Sequence, residues 1–468
     1  MSGAELGIEV HQQKFLAEGD NAMHAILTVT ARGGSRQPAK HAAEVLLVDC
    51  SSSMRHPHTK IEEAKRAAAA AIGVLPDGVR FAVVRGSETA HMCYPQEETL
   101  VEATDSTRLA AQQAVAHLGA YGGTAMGKWL DRARQLFARH PDAVRHAILL
   151  TDGKNQSETH EALVTTLDSC ESQFVCDARG VGDGWVPDEL AEIVKVLRGS
   201  ADSVVEDHLL TEDFTRLIDA ALTKVLPDVR LRIGTMSYST LRFVKQVRPN
   251  EYDLTDRCRP GADGETVLSL GSWAGDESQD YHVCFDVDPA LPPSYEQDRQ
   301  LAWAELEPVG AGASAPAVVL GRWTHDPVQP TLIHPMVLQY TVQAELGDAL
   351  TEGGDALAAG RADAAELAWG KAVRLATEQG NDEILRRLAR VVEIRDADAG
   401  DVRLRPDASR SEVLNVLISR VSQVGQAPIP EVQAPDEPPR ACPHCTEPNP
   451  ARAKFCVVCG KSLGEAKA

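Results

Sequence analysis

In the segment Val45-Leu46-Leu47-Val48-Asp49-Cys50-Ser51-Ser52-Ser53-Met54, one carboxylate and two alternate hydroxyls, Asp49, Ser51 and Ser53, close an apolar run. An apolar run rich in Val and Leu reads as a buried strand. The tip of a strand in an open α/β sheet is where ligands usually sit. Alternate residues along an extended loop can aim their side chains at one point. Oxygen ligands that carry little charge suit a hard divalent cation, magnesium or manganese, before zinc. Two later segments have the same character. Gly122-Gly123-Thr124 lies in a glycine-rich loop ahead of a helical stretch at 126–139, and Ala147-Ile148-Leu149-Leu150-Thr151-Asp152-Gly153 is a second apolar strand ending in a carboxylate.

With these three pieces in this order, the chain resembles the von Willebrand factor A domain family over residues 44–225. That family's metal-ion-dependent adhesion site has the pattern Asp-x-Ser-x-Ser, then Thr, then Asp. The matching residues are Asp49, Ser51, Ser53, Thr124 and Asp152, so every element of the pattern is present. The resemblance implies Mg²⁺ or Mn²⁺ on Asp49, Ser51 and Ser53, with Thr124 and Asp152 bound directly or through water. Hydroxyl ligands donate little charge, so such a metal stays electrophilic and can take a Glu or Asp from a protein partner. Intracellular relatives often serve multiprotein complexes, ATPase-containing ones among them, and the resemblance implies a partner of that kind here.

The elements that must position these residues are legible as an alternation. Strands at 45–49, 79–84, 89–93, 146–151, 174–181 and 203–205 are interleaved with helices at 60–75, 107–118, 126–139, 158–169, 188–197 and 212–225. Such alternation predicts a doubly wound, mostly parallel sheet covered by helices on both faces. From about residue 226 the period changes to two, as in Val229-Arg230-Leu231-Arg232-Ile233 and Tyr281-His282-Val283-Cys284-Phe285-Asp286-Val287. With further candidates at 266–273, 300–306 and 317–323, residues 226–335 read as an antiparallel β-sandwich. The strand candidate within residues 1–43 needs a partner and is expected to join that sandwich, making the α/β domain at 44–225 an insertion. Residues 336–425 read as a small helical region, with helices at 343–376, 382–394 and 411–424. Gly354, Leu357, Gly360 and Ala368 resemble a tetratricopeptide-type hairpin, but one such unit cannot bury its own faces, and a docked helical bundle is expected.

Residues 426–440 hold five prolines with Glu and Asp and no apolar periodicity, the pattern of an extended linker. After it come Cys442-Pro443-His444-Cys445 and Cys456-Val457-Val458-Cys459-Gly460. Two Cys-x-x-Cys knuckles supply four thiolates for a tetrahedral Zn²⁺, so Cys442, Cys445, Cys456 and Cys459 are the expected ligands. The segment 441–468 is too short for a core of its own, so metal binding would supply its folding energy. It resembles the short zinc ribbons appended to many bacterial proteins. Residues 440–468 carry five basic and two acidic residues with Phe455 as the only aromatic, which favours a protein-docking role over nucleic-acid binding.

At 468 residues the chain should hold two to four domains, and 43% hydrophobic with 25% charged residues is ordinary globular composition. The formal charge of −21, from 47 basic and 68 acidic residues, disfavours phosphate backbones and anionic membranes as partners. The start of the chain lacks a basic n-region and an apolar h-region, and no apolar run reaches the ~20 residues of a membrane span. The other cysteines, Cys50, Cys93, Cys170, Cys176, Cys258 and Cys284, are scattered, which suits a reducing cytoplasm. Enzymatic chemistry fares poorly: there is no Gly-x-Ser-x-Gly elbow and no His-Glu-x-x-His helix. The sequence from Gly122 to Lys128 has P-loop spacing, but Trp129 stands where a magnesium-binding hydroxyl belongs. The expected function is a non-enzymatic, metal-dependent protein-binding scaffold. The alternative is a scaffold with a purely structural metal, in which the helical region and zinc ribbon bind protein or nucleic acid. A nucleotide hydrolase is the remote third reading.

Overall fold

The strand Ala42–Asp49 is buried at every position, because it is central in its sheet and covered by helices on both faces. The computed structural model describes residues 5–33, 42–55, 59–204, 210–226, 228–288, 295, 297–308, 313–326, 328–331, 334–419, 440–441 and 448–449. Ala42–Asp49 pairs in parallel with Arg80–Gly86 on one side and Val144–Thr151 on the other. Val175–Val181 and then Ala201–Val204 extend the sheet beyond Val144–Thr151, again in parallel. Ala90–Tyr94 and Val101–Glu102 pair antiparallel with Arg80–Gly86, making a mixed seven-stranded sheet. The chain leaves Ala42–Asp49 toward Arg80–Gly86 but leaves Val144–Thr151 in the opposite direction. The carboxyl ends of these two adjacent strands therefore flank the topological switch point, where an open α/β sheet leaves a crevice.

Helix packing follows from residue size and period. Thr59–Val74 turns Ala64, Ala67, Ala68, Ala71 and Ile72 to the sheet, small side chains that let it lie close. Met126–Phe137 buries Met126, Trp129, Leu130, Ala133, Leu136 and Phe137, an i, i+3, i+4 stripe. These two helices serve separate apolar clusters, one with the helix Leu210–Leu222 and one with the helices His160–Cys170 and Pro187–Leu197. The second cluster continues without a break into two further sheets.

One of these is five-stranded and antiparallel, in the order Glu5–Gln12, Ala22–Arg32, Ser278–Val287, Ser239–Arg248, Tyr252–Asp253. The other is six-stranded, in the order Arg259–Pro260, Thr266–Ser269, Val229–Thr235, Arg299–Pro308, Ala317–Trp323, Phe15–Leu16. Ser239–Arg248 is a strand that the sequence reading does not anticipate. Its register shifts between Leu241 and Phe243 and again between Gln246 and Arg248, and each shift breaks the period-two signal.

The helices Pro335–Ala358, Ala362–Gln379, Asp382–Val391 and Arg410–Ile418 follow, with a third apolar cluster around Trp369. Two elements here differ from expectation. A single stretch at 343–376 is two helices broken at Gly360, and the end of the expected 382–394 helix is a strand, Val392–Asp396, paired with Asp401–Leu404. Arg387 fastens this region to the edge of the α/β sheet through two 2.9 Å contacts with Asp202. The chain divides into two compact units, Met1–Val424 and Gly425–Ala468. In the second, Arg440–Ala441 pairs antiparallel with Pro448–Asn449. Cys442, Cys445, Cys456 and Cys459 lie outside the described residues. Among the described residues, no helix is long and apolar enough to cross a membrane.

Candidate metal centre

Asp49 ends its strand and Asp152 follows the neighbouring one, so the switch point brings both carboxylates together; both are fully buried. The chain turns sharply after Asp49 because the Ser51 N–H donates to Asp49 Oδ1 at 2.7 Å, an Asx-type turn. Thr151 Oγ1 donates to the other oxygen, Oδ2, also at 2.7 Å. Ser51 Oγ and Ser53 Oγ are 2.8 Å apart, and Ser53 Oγ donates to Asp152 Oδ1 at 2.7 Å. Burial pushes the Asp49 carboxyl up to about 6, although the hydrogen bonds from Thr151 and Ser51 work the other way.

Thr124 arrives from a separate loop that backbone hydrogen bonds tie to the Asp49 turn. Ser52 N–H donates to Gly122 O at 2.9 Å and Tyr121 N–H to Cys50 O at 2.7 Å. Gly122 has φ +80°, which only glycine adopts without strain. A Cβ on Gly123 would stand 1.9 Å from Ser157 Oγ. That serine accepts from Thr124 N–H at 3.0 Å, and its own N–H donates to Thr124 O at 2.8 Å. The helix that starts next has no side-chain cap from Ala125. Its first N–H groups instead find Asn155 Oδ1, 2.9 Å from Met126 N, and Glu158 Oε1, 2.6 Å from Gly127 N. Trp129, fully buried, donates from Nε1 to Ser87 O at 2.7 Å. Its indole fills the place where P-loop chemistry would need a hydroxyl.

The five predicted side chains converge. A Cβ placed on Gly153 would lie 3.2 Å from Ser53 Oγ, 3.4 Å from Thr124 Oγ1 and 3.7 Å from Asp49 Oδ2. Thr124 Oγ1 is buried and has no hydrogen-bond partner, which a satisfied structural threonine would have. Asp152 Oδ2 is likewise buried without a well-directed hydrogen bond, although Lys60 Nζ stands 3.1 Å away as an ion pair. Two carboxylates and three hydroxyls, one of them buried with nothing to bond, fit a hard divalent cation. Among the described residues, no group of three or more His, Cys, Asp or Glu is placed to hold a metal ion.

Sequence reasoning missed Lys60. It belongs to the first turn of the helix Thr59–Val74, and its ammonium also meets Asp183 Oδ1 at 3.1 Å. Burial opposes the charge on Lys60, but the hydrogen bonds and attraction of Asp152 and Asp183 outweigh it and raise its pKa. The supporting residues Thr151, Asn155, Ser157 and Glu158 were also missed. They lie within seven residues of the Asp152 strand end, which is the signal that could have flagged them.

Residues 43–202 match the family model for the von Willebrand factor type A domain, and residues 374–415 that for the von Willebrand factor type A C-terminal domain. The solved structure of a von Willebrand factor type A protein from Catenulispora acidiphila is 36% identical, with TM-score 0.80, over 91% of this chain and 98% of that one. The ArnB paralog VWA2 from Sulfolobus acidocaldarius shares the fold over 91% of this chain and 100% of its own, with TM-score 0.55 and 12% identity. No curated protein matches the chain.

Proposed function

The chain belongs to the von Willebrand factor type A family, and on that premise we propose a non-enzymatic, cytoplasmic protein-binding scaffold that captures an acidic residue of a partner at a metal-loaded Asp-Ser-Ser-Thr-Asp site. The observation that carries this reading is the buried, unpartnered hydroxyl of Thr124 beside Asp49, Ser53 and Asp152. Mg²⁺ or Mn²⁺, when bound, would supply an electrophilic position for a Glu or Asp of the partner.

The chain's own residues do the rest. Asp49, Ser51 and Ser53 supply the donors of one loop, Asp152 those of the next strand end, and Thr124 a hydroxyl that no protein group claims. The hydrogen bond from Thr151 holds Asp49 in place, and the contacts of Ser157 hold Thr124. On this reading the five-stranded and six-stranded sheets form a sandwich, residues 1–43 and 226–335, that frames an inserted α/β domain at 44–225. The helical region at 336–425, the linker at 426–440 and a zinc ribbon at 441–468 complete the arrangement.

Calorimetric titration of Mg²⁺ or Mn²⁺ tests the site. Wild type should bind one ion, and the Asp49→Ala/Asp152→Ala double variant should lose at least tenfold in affinity, about 1.4 kcal/mol. Partner capture in a pull-down should be lost in EDTA and weakened by Thr124→Ala. Equal titration of wild type and double variant would sink the metal site. Capture indifferent to both EDTA and Thr124→Ala would leave the metal structural.

A further inference from the structure

A cavity of about 480 Å³ lies between the five-stranded sheet and the helix Pro335–Ala358. His24, His282 and Phe243, from three neighbouring strands, line the sheet side. Val337, Tyr340, Thr341 and Ala344 line the helix side. The size falls within the range of small-molecule pockets, roughly 300–1,000 Å³.

Most polar groups on these walls are engaged. His24 Nδ1 and His282 Nε2 are 3.0 Å apart, and Phe243 meets the His282 ring edge-on at 5.1 Å. Burial lowers the pKa of both imidazoles, that of His282 to about 4 with the charges of His24 and Lys245 adding to it, so this wall is neutral at neutral pH. His334 Nδ1 accepts from Met336 N–H at 3.3 Å and caps the helix. The Tyr340 hydroxyl donates to the buried Asp280, and Asp20 Oδ2 accepts from Ala17 N–H at 2.9 Å.

Two opposite charges on the same cavity are not engaged. Lys245 Nζ lies 5.2 Å from the centre of the Phe243 ring. Among the described residues it makes no hydrogen bond or ion pair. Its cross-strand neighbour Asp253 is taken by the N–H and hydroxyl of Thr255, at 3.0 and 2.6 Å. Glu251 stands in the turn between Ser239–Arg248 and Tyr252–Asp253, its Oε2 4.0 Å from where a Cβ on Gly347 would be. It too has no hydrogen bond or ion pair among the described residues. Burial raises its carboxyl to about 7, with Lys245 opposing and Asp348 adding. Lys245 and Glu251 thus act on each other through space without reaching ion-pair distance.

Charges drawn away from bulk water are normally paired. Lys224 and Glu277, elsewhere in the chain, show the usual outcome and close at 2.7 and 2.9 Å. In this cavity an anion alone would meet Glu251, and a cation alone would meet Lys245. A ligand that satisfies both carries both charges a few bonds apart, and an α-amino acid does. Each contact would be a charge-assisted hydrogen bond. Phe15, Leu16, Val247 and Val337 make the remaining lining largely apolar, which suits an apolar or aromatic side chain.

We propose that this cavity binds a free α-amino acid with an apolar or aromatic side chain, its carboxylate on Lys245 and its ammonium on Glu251. The cavity shares no residue with the proposed metal centre, so either can fail without the other.

The test is calorimetry of the full chain in EDTA with phenylalanine and leucine as probes. Each is compared with the same molecule lacking its ammonium (hydrocinnamate, isocaproate) and with the one lacking its carboxylate (phenethylamine, isoamylamine). At least one amino acid should bind saturably at one site per chain, with both of its analogues at least tenfold weaker. Lys245→Met should lower the affinity for that amino acid at least tenfold and erase its advantage over the amine. Glu251→Gln should do the same and erase its advantage over the carboxylate. The comparison of ligands on wild type stands even if a variant folds poorly. The proposal fails if neither amino acid binds saturably, if an analogue binds as tightly as its amino acid, or if either folded variant binds like wild type.

Discussion

A lysine in the first turn of a helix works against the positive end of the helix dipole, so Lys60 needs a compensating reason to stand there. Its partners Asp152 and Asp183, each at 3.1 Å, supply one: a cation held against a carboxylate that the proposed metal would also need. If the two cations share Asp152, removing the ammonium while keeping the alkyl stem should favour the metal. Lys60→Met is expected to tighten Mg²⁺ binding about tenfold, about 1.4 kcal/mol. The same variant should be less stable than wild type in EDTA, because Asp152 is left buried without its cation, and saturating Mg²⁺ should restore it. Titration calorimetry and melting curves with and without Mg²⁺ read both effects, and unchanged affinity would show that Lys60 and the metal do not compete. Asp49, Ser51 and Ser53 are legible in sequence because one loop carries all three, whereas Thr124 and Asp152 are legible only through a family pattern that spans distant loops. Lys60 was not legible, since its role depends on a helix start meeting a strand end brought near only by the fold.

At the scale of elements, the central strands are built with a polar row at the ends away from Asp49. Glu44 and His146 are direct cross-strand partners, and Asp177 lies on the next strand, all of them buried. His146 Nδ1 meets Glu44 Oε2 at 2.9 Å and Nε2 meets Asp177 Oδ2 at 2.8 Å. Burial alone would depress the imidazolium, but the Glu44 charge and the hydrogen bonds that the ring donates to Asp177 and Glu44 overcome it and raise His146 to about 10. Its ordinary value is 6.5, so its stabilising contribution is complete below pH 6.5 and is lost as pH rises through about 10. In chemical denaturation between pH 7 and 9, wild type should therefore lose up to about 1.4 kcal/mol per pH unit through this group. His146→Gln should flatten that slope while lowering stability at neutral pH; an identical slope in the variant would mean His146 does not titrate there. This row escaped the sequence reading because single polar residues in three separate apolar strands carry no pattern until register aligns them. The α/β alternation was legible because long amphipathic helices and solid apolar strands have strong periods. Ser239–Arg248 was hidden by its two bulges, and the hairpin Val392–Asp396 with Asp401–Leu404 by the helical period that runs into it.

For the whole molecule, the decisive property is that the described core ends before the cysteine pairs begin. Met1–Val424 is one compact unit and Gly425–Ala468 another. If the second unit is a zinc ribbon, its fold depends on the metal and the first unit does not depend on it. The full chain should then carry one tightly held zinc, and a chain ending at Val424 none. The shortened chain should keep the same melting temperature and the same Mg²⁺ affinity, because no core residue of the first unit is removed. Elemental analysis of protein purified without chelator, with melting and titration of both chains, checks all three. Zinc retained after truncation, or absent from the full chain, would remove the ribbon from the account. The comparison also resolves an ambiguity in the pull-down, since EDTA strips zinc as readily as magnesium. Capture that survives truncation but not EDTA must run through the Asp49 site. Capture that vanishes on truncation while Thr124→Ala leaves it intact must run through the cysteine-bearing unit instead.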